Sequence, residues 1–178
     1  MMRAAIVTVS DRSFRGERPD VSGPALKGLV EHLGAEVVKT VVVPDEPALI
    51  AQTLIQLTDV LGCTLVITTG GTGLSPRDTT PEATRRVIEK ELLGMELAIH
   101  QASLQQTPFA MLSRGVAGVR GQSLILNFPG SPKAVAECFA VVAPVLGHAI
   151  KLLRDEDPYQ HPVPAQTAPS PTESACRP

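Results

Sequence analysis

Short runs of apolar, mostly β-branched residues alternate along this chain with longer segments in which leucine and valine recur every three or four positions. The short runs predict buried strands at residues 4–9, 36–43, 65–69 and 123–127. The longer segments predict helices that bury one apolar face. Regular alternation of the two kinds of element is typical of an α/β fold with a mostly parallel sheet.

Capping residues predict where several of the helices begin and end. Asp45 is placed to start the helix that follows the second strand, and Thr80 is placed to cap a helix that runs to about residue 93. Ser131 predicts the cap of the last helical stretch. Within that stretch Pro144 predicts a kink or a break, because proline lacks an amide donor.

Three further stretches complete the predicted chain path. Residues 10–23 are predicted to form a polar loop, and residues 94–106 a helix. Residues 110–120 are ambiguous, and fit an edge strand with a turn at Arg114 and Gly115.

Length and composition predict one folded domain over residues 1–155. The chain has 178 residues, of which 43% are hydrophobic, enough to build a core. Proline is frequent after residue 155 and the hydrophobic pattern ends, so residues 156–178 are predicted to be a disordered tail.

Charge, hydrophobicity and cysteine usage make several classes of protein unexpected for this chain. The formal net charge of -2 gives no basic field of the kind that nucleic-acid binding uses. No apolar run approaches the roughly 20 residues of a membrane span. The three cysteines are far apart and form no CxxC pair, which favours neither a disulfide framework nor a zinc site. A reducing cytoplasm is the simplest setting for such a chain.

Small, polar and acidic residues follow each predicted strand. They are Ser10 and Asp11 after the first strand, Asp45 after the second, Thr69, Gly70, Gly71, Thr72 and Gly73 at the end of the third, and Asn127, Pro129, Gly130 and Ser131 at the end of the last. Parallel strands would bring these residues to one edge of the sheet. Ligands of open α/β sheets bind at that edge, outside the carboxyl ends of the strands.

The glycines of residues 70–73 indicate close approach of the backbone to a ligand. Without a Cβ, glycine lets backbone amides reach a phosphate or the polar edge of a flat ring. The spacing matches neither the dinucleotide fingerprint nor the P-loop, and a tight turn after a strand also uses glycine. The residues alone therefore leave the ligand open.

Asp45 and Asp78 are the candidate acidic residues. Each has a plain structural interpretation: Asp45 as a helix cap, and Asp78 as a turn residue or the ion-pair partner of Arg77. Two carboxylates at one edge would repel a phosphate unless a divalent cation lay between them, and Mg²⁺ is the natural choice. Adenylyl transfer needs that arrangement, because charge on the α-phosphate and on the leaving pyrophosphate must be neutralised.

Cationic residues near the predicted edge fit a phosphate ligand less specifically. Ser131 opens a helix whose amide-rich start can bind an anion, and Lys133 lies in that first turn. Ser113 and Arg114 form a further polar pair. The pair fits a phosphate ligand because the guanidinium of arginine presents a fork of donors that matches phosphate oxygens. A solvated lysine and a surface turn explain these residues equally well.

Five motifs in this order resemble those of the molybdopterin adenylyltransferases, the MogA/MoaB group, to which the G domains of gephyrin and of the plant molybdenum-insertion protein also belong. The motifs are VSDR, VPDE, TTGGTGLSPRDTTPEAT, MLSRGVAGVRG and LILNFPGSPKA. The resemblance covers about residues 3–155. Its specificity is high because five separate motifs keep their order and spacing.

The resemblance implies a three-layer α/β/α sandwich, a homotrimer and an adenylyltransferase activity. It implies that ATP donates AMP to the terminal phosphate of molybdopterin with Mg²⁺, and that a molybdenum-insertion protein takes the product. The two family aspartates match Asp45 and Asp78, which would also hold the metal. The positions implied to line the active-site loop and the pterin or nucleotide pocket are Ser10, Asp11, Thr69, Gly70, Gly71, Thr72, Gly73, Ser113, Asn127, Pro129, Gly130 and Ser131.

Two alternative functions remain beside the adenylyltransferase. A nucleotide pyrophosphatase of the competence-damage branch would show a GGLGPT-type loop with two adjacent aspartates, whereas this loop is GGTGLSPRD with one. A scaffold that binds molybdopterin without turnover would have no reason to hold two carboxylates against a phosphate. Release of pyrophosphate that depends on Mg²⁺ distinguishes the adenylyltransferase from the scaffold, and release from a dinucleotide without pterin would indicate the pyrophosphatase.

Overall fold

The computed structural model describes residues 1–156, which form a six-stranded sheet flanked by helices. The strands are β1 (Arg3–Val9), β2 (Glu36–Val43), β3 (Leu65–Thr69), β4 (Lys90–Glu91), β5 (Ala117–Arg120) and β6 (Ser123–Phe128). The helices are α1 (Asp11–Phe14), α2 (Ser22–His32), α3 (Pro47–Ile55), α4 (Thr80–Arg85), α5 (Leu93–Gln106) and α6 (Pro132–Leu153). A π-helical turn, Gln56–Val60, continues α3, and a 3₁₀ segment, Pro108–Leu112, follows α5.

The strand order is β2-β1-β3-β6-β5-β4. Strands β1, β2, β3 and β6 run parallel, and β5 and β4 are antiparallel to their neighbours. The predicted α/β class with a mostly parallel sheet is therefore confirmed.

Alternate side chains of the central strands build two cores, one on each face of the sheet. Ile6 packs with α2 and α6 on one face, whereas its neighbour Val7 packs with α3 and α4 on the other. This division follows from the two-residue period of a strand. The molecule has three layers, helix, sheet and helix, as the family resemblance implied.

The structure differs most from the predicted elements in two stretches, the one after β1 and the one after α4. The stretch after β1 is not wholly a loop, because Ser10 caps the short helix α1 by accepting a hydrogen bond from the Ser13 amide. Helix α4 ends at Arg85 rather than near residue 93. Beyond it the backbone of Glu89 and Leu92 donates to carbonyls of β5, so pairing with the sheet replaces the helical hydrogen bonds.

The predicted caps of α3 and α4 are each displaced by one residue. The cap of α3 is Glu46 and not Asp45, whose carboxylate turns instead toward the start of α1. Thr79 precedes α4, while Thr80 is its first residue and donates its hydroxyl proton to the Gly70 carbonyl. The cap of α6 by Ser131 is confirmed, since its hydroxyl accepts from the Ala134 amide.

Residues 110–120 are divided between a 3₁₀ turn and strand β5. The strand lies between β6 and β4, so it is not the edge strand that the sequence suggested. The two-residue strand β4 takes that place, because the backbone after α4 turns back along β5.

Helix α6 runs continuously through Pro144. Of the two outcomes predicted there, a kink or a break, the break does not occur. Because Pro144 has no amide hydrogen, the Ala140 carbonyl loses its helical hydrogen-bond donor. Both residues lie on the exposed face of the helix, where water can donate to that carbonyl instead. Within residues 1–156, α6 is the one helix long and apolar enough to cross a membrane by length and composition, with a mean hydropathy of 1.6. Its other face packs into the core through Val135, Phe139 and Leu146, and core helices pass the same test.

The tail predicted over residues 156–178 lies outside the described residues, apart from Glu156. The division into a folded domain and a tail therefore stays a prediction.

Candidate active site

The carboxyl ends of the four parallel strands lie at one edge of the sheet, as predicted. The strand registers pair Val9 with Val43, Thr8 with Thr69, and Thr69 with Phe128. The residues that follow these strands therefore begin at nearly the same level. Ser10, Asp45, Gly70 and Pro129 are brought together although up to 119 positions separate them in the chain.

Asp11 and Asp45 bind each other's backbone. The Asp11 amide donates to Asp45 Oδ2 at 2.7 Å, and the Asp45 amide donates to Asp11 Oδ1 at 3.0 Å. The reciprocal pair joins the end of β1 to the end of β2. It explains why Asp45 does not cap α3, since one of its carboxylate oxygens is already taken by α1.

Arg77 neutralises the charge of Asp11 in this pair. Its guanidinium donates to both oxygens of Asp11 at 2.9 and 3.0 Å, and to Glu46 at 2.9 Å. This hydrogen bonding from Arg77 lowers the pKa of Asp11 below its ordinary value. Arg77 does not pair with Asp78, so that interpretation of Asp78 is wrong.

Asp78 forms a turn within the glycine-rich loop. Its Oδ2 accepts from the Ser75 amide at 2.9 Å, and its own amide donates to the Ser75 carbonyl at 2.8 Å. A Cβ added to Gly73 would lie 2.9 Å from Asp78 Oδ2, so the carboxylate rests against the backbone of the loop. The turn interpretation of Asp78 is confirmed, and it leaves Oδ1 without a hydrogen bond among the described residues.

Asp45 carries the most unfavourable electrostatic surroundings of the site. Burial raises its pKa above the ordinary value, and the nearby charges of Asp11 and Asp78 raise it further. The Asp11 amide and the Arg77 charge act in the opposite direction without cancelling the effect. Three carboxylates thus crowd one edge of the sheet with Arg77 as a neighbouring cation.

Gly70 and Gly71 place the loop backbone where no other residue fits. Both have positive φ, +96° and +64°. A Cβ at Gly70 would collide with the Val9 carbonyl, and one at Gly71 would collide with Thr80 Oγ1 and lie 3.1 Å from Asp45 Oδ1. The loop therefore passes directly over the end of β1 and against the Asp45 carboxylate.

The amides of the same loop lack protein acceptors. Within residues 1–156 the Gly70 amide donates to the Phe128 carbonyl, whereas no hydrogen bond is formed by the amides of Gly71, Thr72 and Gly73. Thr72 is buried. Amides shielded from water are rarely left unpaired in proteins, so the donors of buried Thr72 and of half-buried Gly71 and Gly73 fit an anionic or polar ligand.

Several predicted site residues use their side chains within the protein. The Asn127 carboxamide donates to Thr68 Oγ1 at 3.0 Å and to Thr84 Oγ1 at 2.9 Å, and it accepts from the Val116 amide at 3.2 Å. The Thr69 hydroxyl donates to the Pro129 carbonyl at 2.8 Å. These groups shape the site from within and do not point freely toward a ligand.

Two cavities lie near the carboxyl edge of the sheet, and some of the predicted site residues line one or the other. The first, of about 140 Å³, is lined by Ser10, Thr69, Gly70 and Gly130 among others. The second, of about 180 Å³, is lined by Ser113, Asn127 and Pro129 and by an apolar wall from α5 and the 3₁₀ segment. Asp11, Asp45, Gly71, Thr72, Gly73, Asp78 and Ser131 line neither cavity.

Sequence reasoning missed some polar residues that line these cavities. Asp20 lies in the first cavity, where its carboxylate accepts from the Thr8 hydroxyl at 2.7 Å and from the Gly23 amide at 2.9 Å. Its position three residues before Gly23 is a capping signal for α2 that the sequence did contain. Glu96, His100 and Glu137 line the second cavity and belong to no motif.

The carboxylates of Asp45 and Asp78 fit a magnesium ion by their chemistry. No group of three or more histidine, cysteine, aspartate or glutamate side chains suited to a metal occurs in residues 1–156. Mg²⁺, however, is commonly held by one or two carboxylates together with substrate phosphates. Asp45 Oδ1 and Asp78 Oδ1 accept no hydrogen bond within the described chain, so each residue keeps one oxygen for a cation.

Fold and candidate site together define an α/β protein with a glycine-rich loop and paired carboxylates at the carboxyl edge of its parallel sheet, the edge at which proteins of this class bind their ligands. Residues 5–148 match the family model described as the probable molybdopterin binding domain. Because this match spans most of the chain, the protein belongs to that family.

Curated relatives and solved structures agree with this assignment. The chain is 40% identical over 150 residues to the molybdopterin adenylyltransferase of Helicobacter pylori strain J99, covering 83% of this chain and 85% of that protein. It is 48% identical to the crystal structure of the molybdopterin biosynthesis enzyme MoaB from Thermus thermophilus, with a TM-score of 0.82 and coverage of 87% and 98%. It is also 43% identical over 152 residues to the molybdenum cofactor synthesis protein cinnamon of Drosophila melanogaster, covering 85% of this chain but only a quarter, 25%, of that protein.

Proposed function

We propose that this protein is a molybdopterin adenylyltransferase of molybdenum cofactor biosynthesis. It transfers AMP from ATP to the terminal phosphate of molybdopterin and releases pyrophosphate, with Mg²⁺ as the metal. The observation that carries the proposal is the meeting of Asp45, Asp78 and the unpaired amides of the glycine-rich loop at one sheet edge. Relatives of similar length that are named molybdopterin adenylyltransferase, from Helicobacter pylori and Escherichia coli K12, support it.

The reaction needs no nucleophile from the protein. An oxygen of the molybdopterin phosphate attacks the α-phosphorus of ATP, a new phosphorus–oxygen bond forms, and the bond to the β-phosphate breaks as pyrophosphate leaves. A bound Mg²⁺ would neutralise charge on the phosphates. Asp45 and Asp78 would hold that ion through the oxygens that remain without hydrogen bonds.

The remaining residues of the site act by positioning. The amides of Gly71, Thr72 and Gly73 would donate to phosphate oxygens where negative charge is concentrated. The Asp11–Asp45 pair fixes the Asp45 carboxylate before any ligand binds. Positioning and charge neutralisation of this kind supply most of the rate enhancement in phosphoryl and nucleotidyl transfer.

The test is pyrophosphate release from ATP and Mg²⁺ when purified molybdopterin is added, with the AMP-linked pterin detected by mass. Stoichiometric release with the adenylylated product supports the proposal. Pterin binding without release would indicate a scaffold, and pyrophosphate-bond cleavage without pterin would indicate a nucleotide pyrophosphatase.

We further propose a homotrimer that works in the cytoplasm and passes its product to a molybdenum-insertion protein. The large apolar side chains of Leu93 and Leu97 on α5, and of Phe109 and Met111 on the 3₁₀ segment, are exposed, which supports subunit contact because exposed apolar patches mark interfaces. Light scattering coupled to size-exclusion chromatography tests the oligomer. A monomer at micromolar concentration would contradict it.

A further inference from the structure

Arg114 ties together the two ends of the loop that carries Asp78. Its Nε donates to the Gly73 carbonyl at 2.8 Å, and its Nη2 donates to the Asp78 carbonyl at 2.7 Å. Its own amide donates to the Thr72 carbonyl at 2.9 Å. One residue, which lies 36 positions beyond Asp78 in the chain, thus holds both ends of the segment 73–78.

Little else fixes this segment to the body of the protein. Within it, the Ser75 amide donates to the Asp78 carboxylate and the Asp78 amide donates to the Ser75 carbonyl, so these two bonds join the turn only to itself. Arg77 contacts Asp11 and Glu46 through an exposed side chain. These bonds from Arg77 are exposed to solvent, whereas the bonds from Arg114 to the two carbonyls are partly buried, so Arg114 provides the better-shielded attachment.

The guanidinium of Arg114 is itself held in place. Its Nη1 donates to Glu82 Oε1 on α4, and its side chain is two-thirds buried, with 33% exposed. Glu82 thereby orients the planar fork so that its other two nitrogens, Nε and Nη2, face the two carbonyls. Lysine has no rigid fork and would reach these acceptors one at a time.

We propose that Arg114 is a positioning residue for adenylyl transfer, which holds the Asp78 carboxylate at the distance from Asp45 that metal and phosphate binding require. The proposal rests on the proposed function. Arg114 was predicted from sequence as a possible phosphate ligand or a surface-turn residue, and each of its three guanidinium nitrogens instead donates one hydrogen bond, to the loop or to Glu82. It acts through Asp78 and does not contact the reacting atoms.

The test compares full-length Arg114→Ala and Arg114→Lys with wild type for kcat, for the KM of molybdopterin, and, without turnover, for the Kd of Mg²⁺ measured by calorimetry in the presence of a non-hydrolysable ATP analogue. We expect Arg114→Ala to lower kcat by about 100-fold, the scale for a misplacement of about 1 Å. It should raise the Kd of Mg²⁺ and leave the KM of molybdopterin within about twofold. Methylguanidine added to Arg114→Ala should restore part of the rate, and Arg114→Lys should recover less than methylguanidine does.

A double-mutant cycle with Asp78→Asn separates positioning from a general structural role. If Arg114 acts through Asp78, its replacement should cost far less in the Asp78→Asn background than in wild type. Arg85→Ala is the matched control, because it breaks an exposed ion pair of α4 with Glu91 and touches no part of the loop.

Three outcomes would overturn the proposal. A folded Arg114→Ala protein with wild-type kcat and Mg²⁺ affinity would do so, as would additive losses in the cycle. If Arg114→Ala does not fold, a folded Arg114→Lys protein with wild-type Mg²⁺ affinity would have the same consequence. Wild type that releases no pyrophosphate would instead contradict the proposed function, so the two failures are distinguishable.

Discussion

Asp11 and Asp45 each accept a hydrogen bond from the other's backbone amide, at 3.0 and 2.7 Å, and so join the ends of β1 and β2 at the carboxyl edge of the sheet. The two carboxylates differ in environment. Arg77 binds both oxygens of Asp11 and lowers its pKa, whereas burial and neighbouring negative charge raise the pKa of Asp45. Ionisation of Asp45 therefore lowers the free energy of unfolding. Of these two carboxylates, Asp45 is the one whose ionised form a bound cation would stabilise more.

Asp45→Asn is expected to raise the melting temperature at neutral pH while it lowers turnover. A raised pKa in the folded state means that protonated Asp45 favours folding, and that this contribution is lost as pH rises through the folded-state pKa. Asparagine stays neutral and can still accept from the Asp11 amide. Calorimetry in EDTA from about pH 3 to 8 checks this, and the gain should vanish at the acid end, where wild-type Asp45 is also neutral. A lower melting temperature at neutral pH would contradict the prediction.

Asp78→Asn is expected to lower turnover by roughly 100-fold or more, the scale for loss of one preorganised electrostatic group. Asparagine can still accept from the Ser75 amide, so the turn and the melting temperature should be kept. Pyrophosphate release at saturating ATP measures the effect. Molybdopterin binding should survive, and wild-type turnover in this variant would refute the role of Asp78.

Asn127→Ala is expected to act mainly on stability. It leaves the buried hydroxyls of Thr68 and Thr84 and the Val116 amide without their partner, and each unsatisfied buried group costs roughly 1–3 kcal/mol. Urea unfolding should show a loss of at least about 2 kcal/mol. Ser113→Ala is the matched control, because the Ser113 hydroxyl makes no hydrogen bond within residues 1–156. Unchanged stability of Asn127→Ala would contradict this assignment.

Gly70→Ala is expected to disrupt both folding and activity. The added methyl group meets the Val9 carbonyl, a backbone atom that cannot move aside, and φ of +96° is strained for alanine. Gly28→Ala in α2 is the control, since no atom lies within 4 Å of the added group. Soluble yield and thermal melting measure the contrast, and equal behaviour of the two variants would show that the loop can shift.

Removal of residues 156–178 is expected to leave turnover unchanged. All the predicted site residues lie between Ser10 and Ser131, and α6 ends at Leu153. Steady-state kinetics of the truncated and full chains decide the point. A large loss of activity on truncation would mean that the tail contributes to the active protein.

The fold class and the edge that carries the site were predictable because both depend on periodic and positional patterns. Apolar runs of strand length between helical segments specified a parallel sheet, and the residues after each run then had to share an edge. The caps of α3 and α4 were displaced by one residue, since Asp45 and Thr80 each found a partner elsewhere in the fold. Local capping preference is worth about 1 kcal/mol, which tertiary contacts readily override.

The order and spacing of the motifs predicted the family and the candidate aspartates, because the motifs consist of the residues that meet at the sheet edge. The partners of each polar group were not readable. Arg77 binds Asp11 rather than its neighbour Asp78, and Arg114 holds the glycine-rich loop rather than a phosphate. Such pairings join positions 36 to 66 residues apart, and the distances between them exist only after the helices have packed on the sheet.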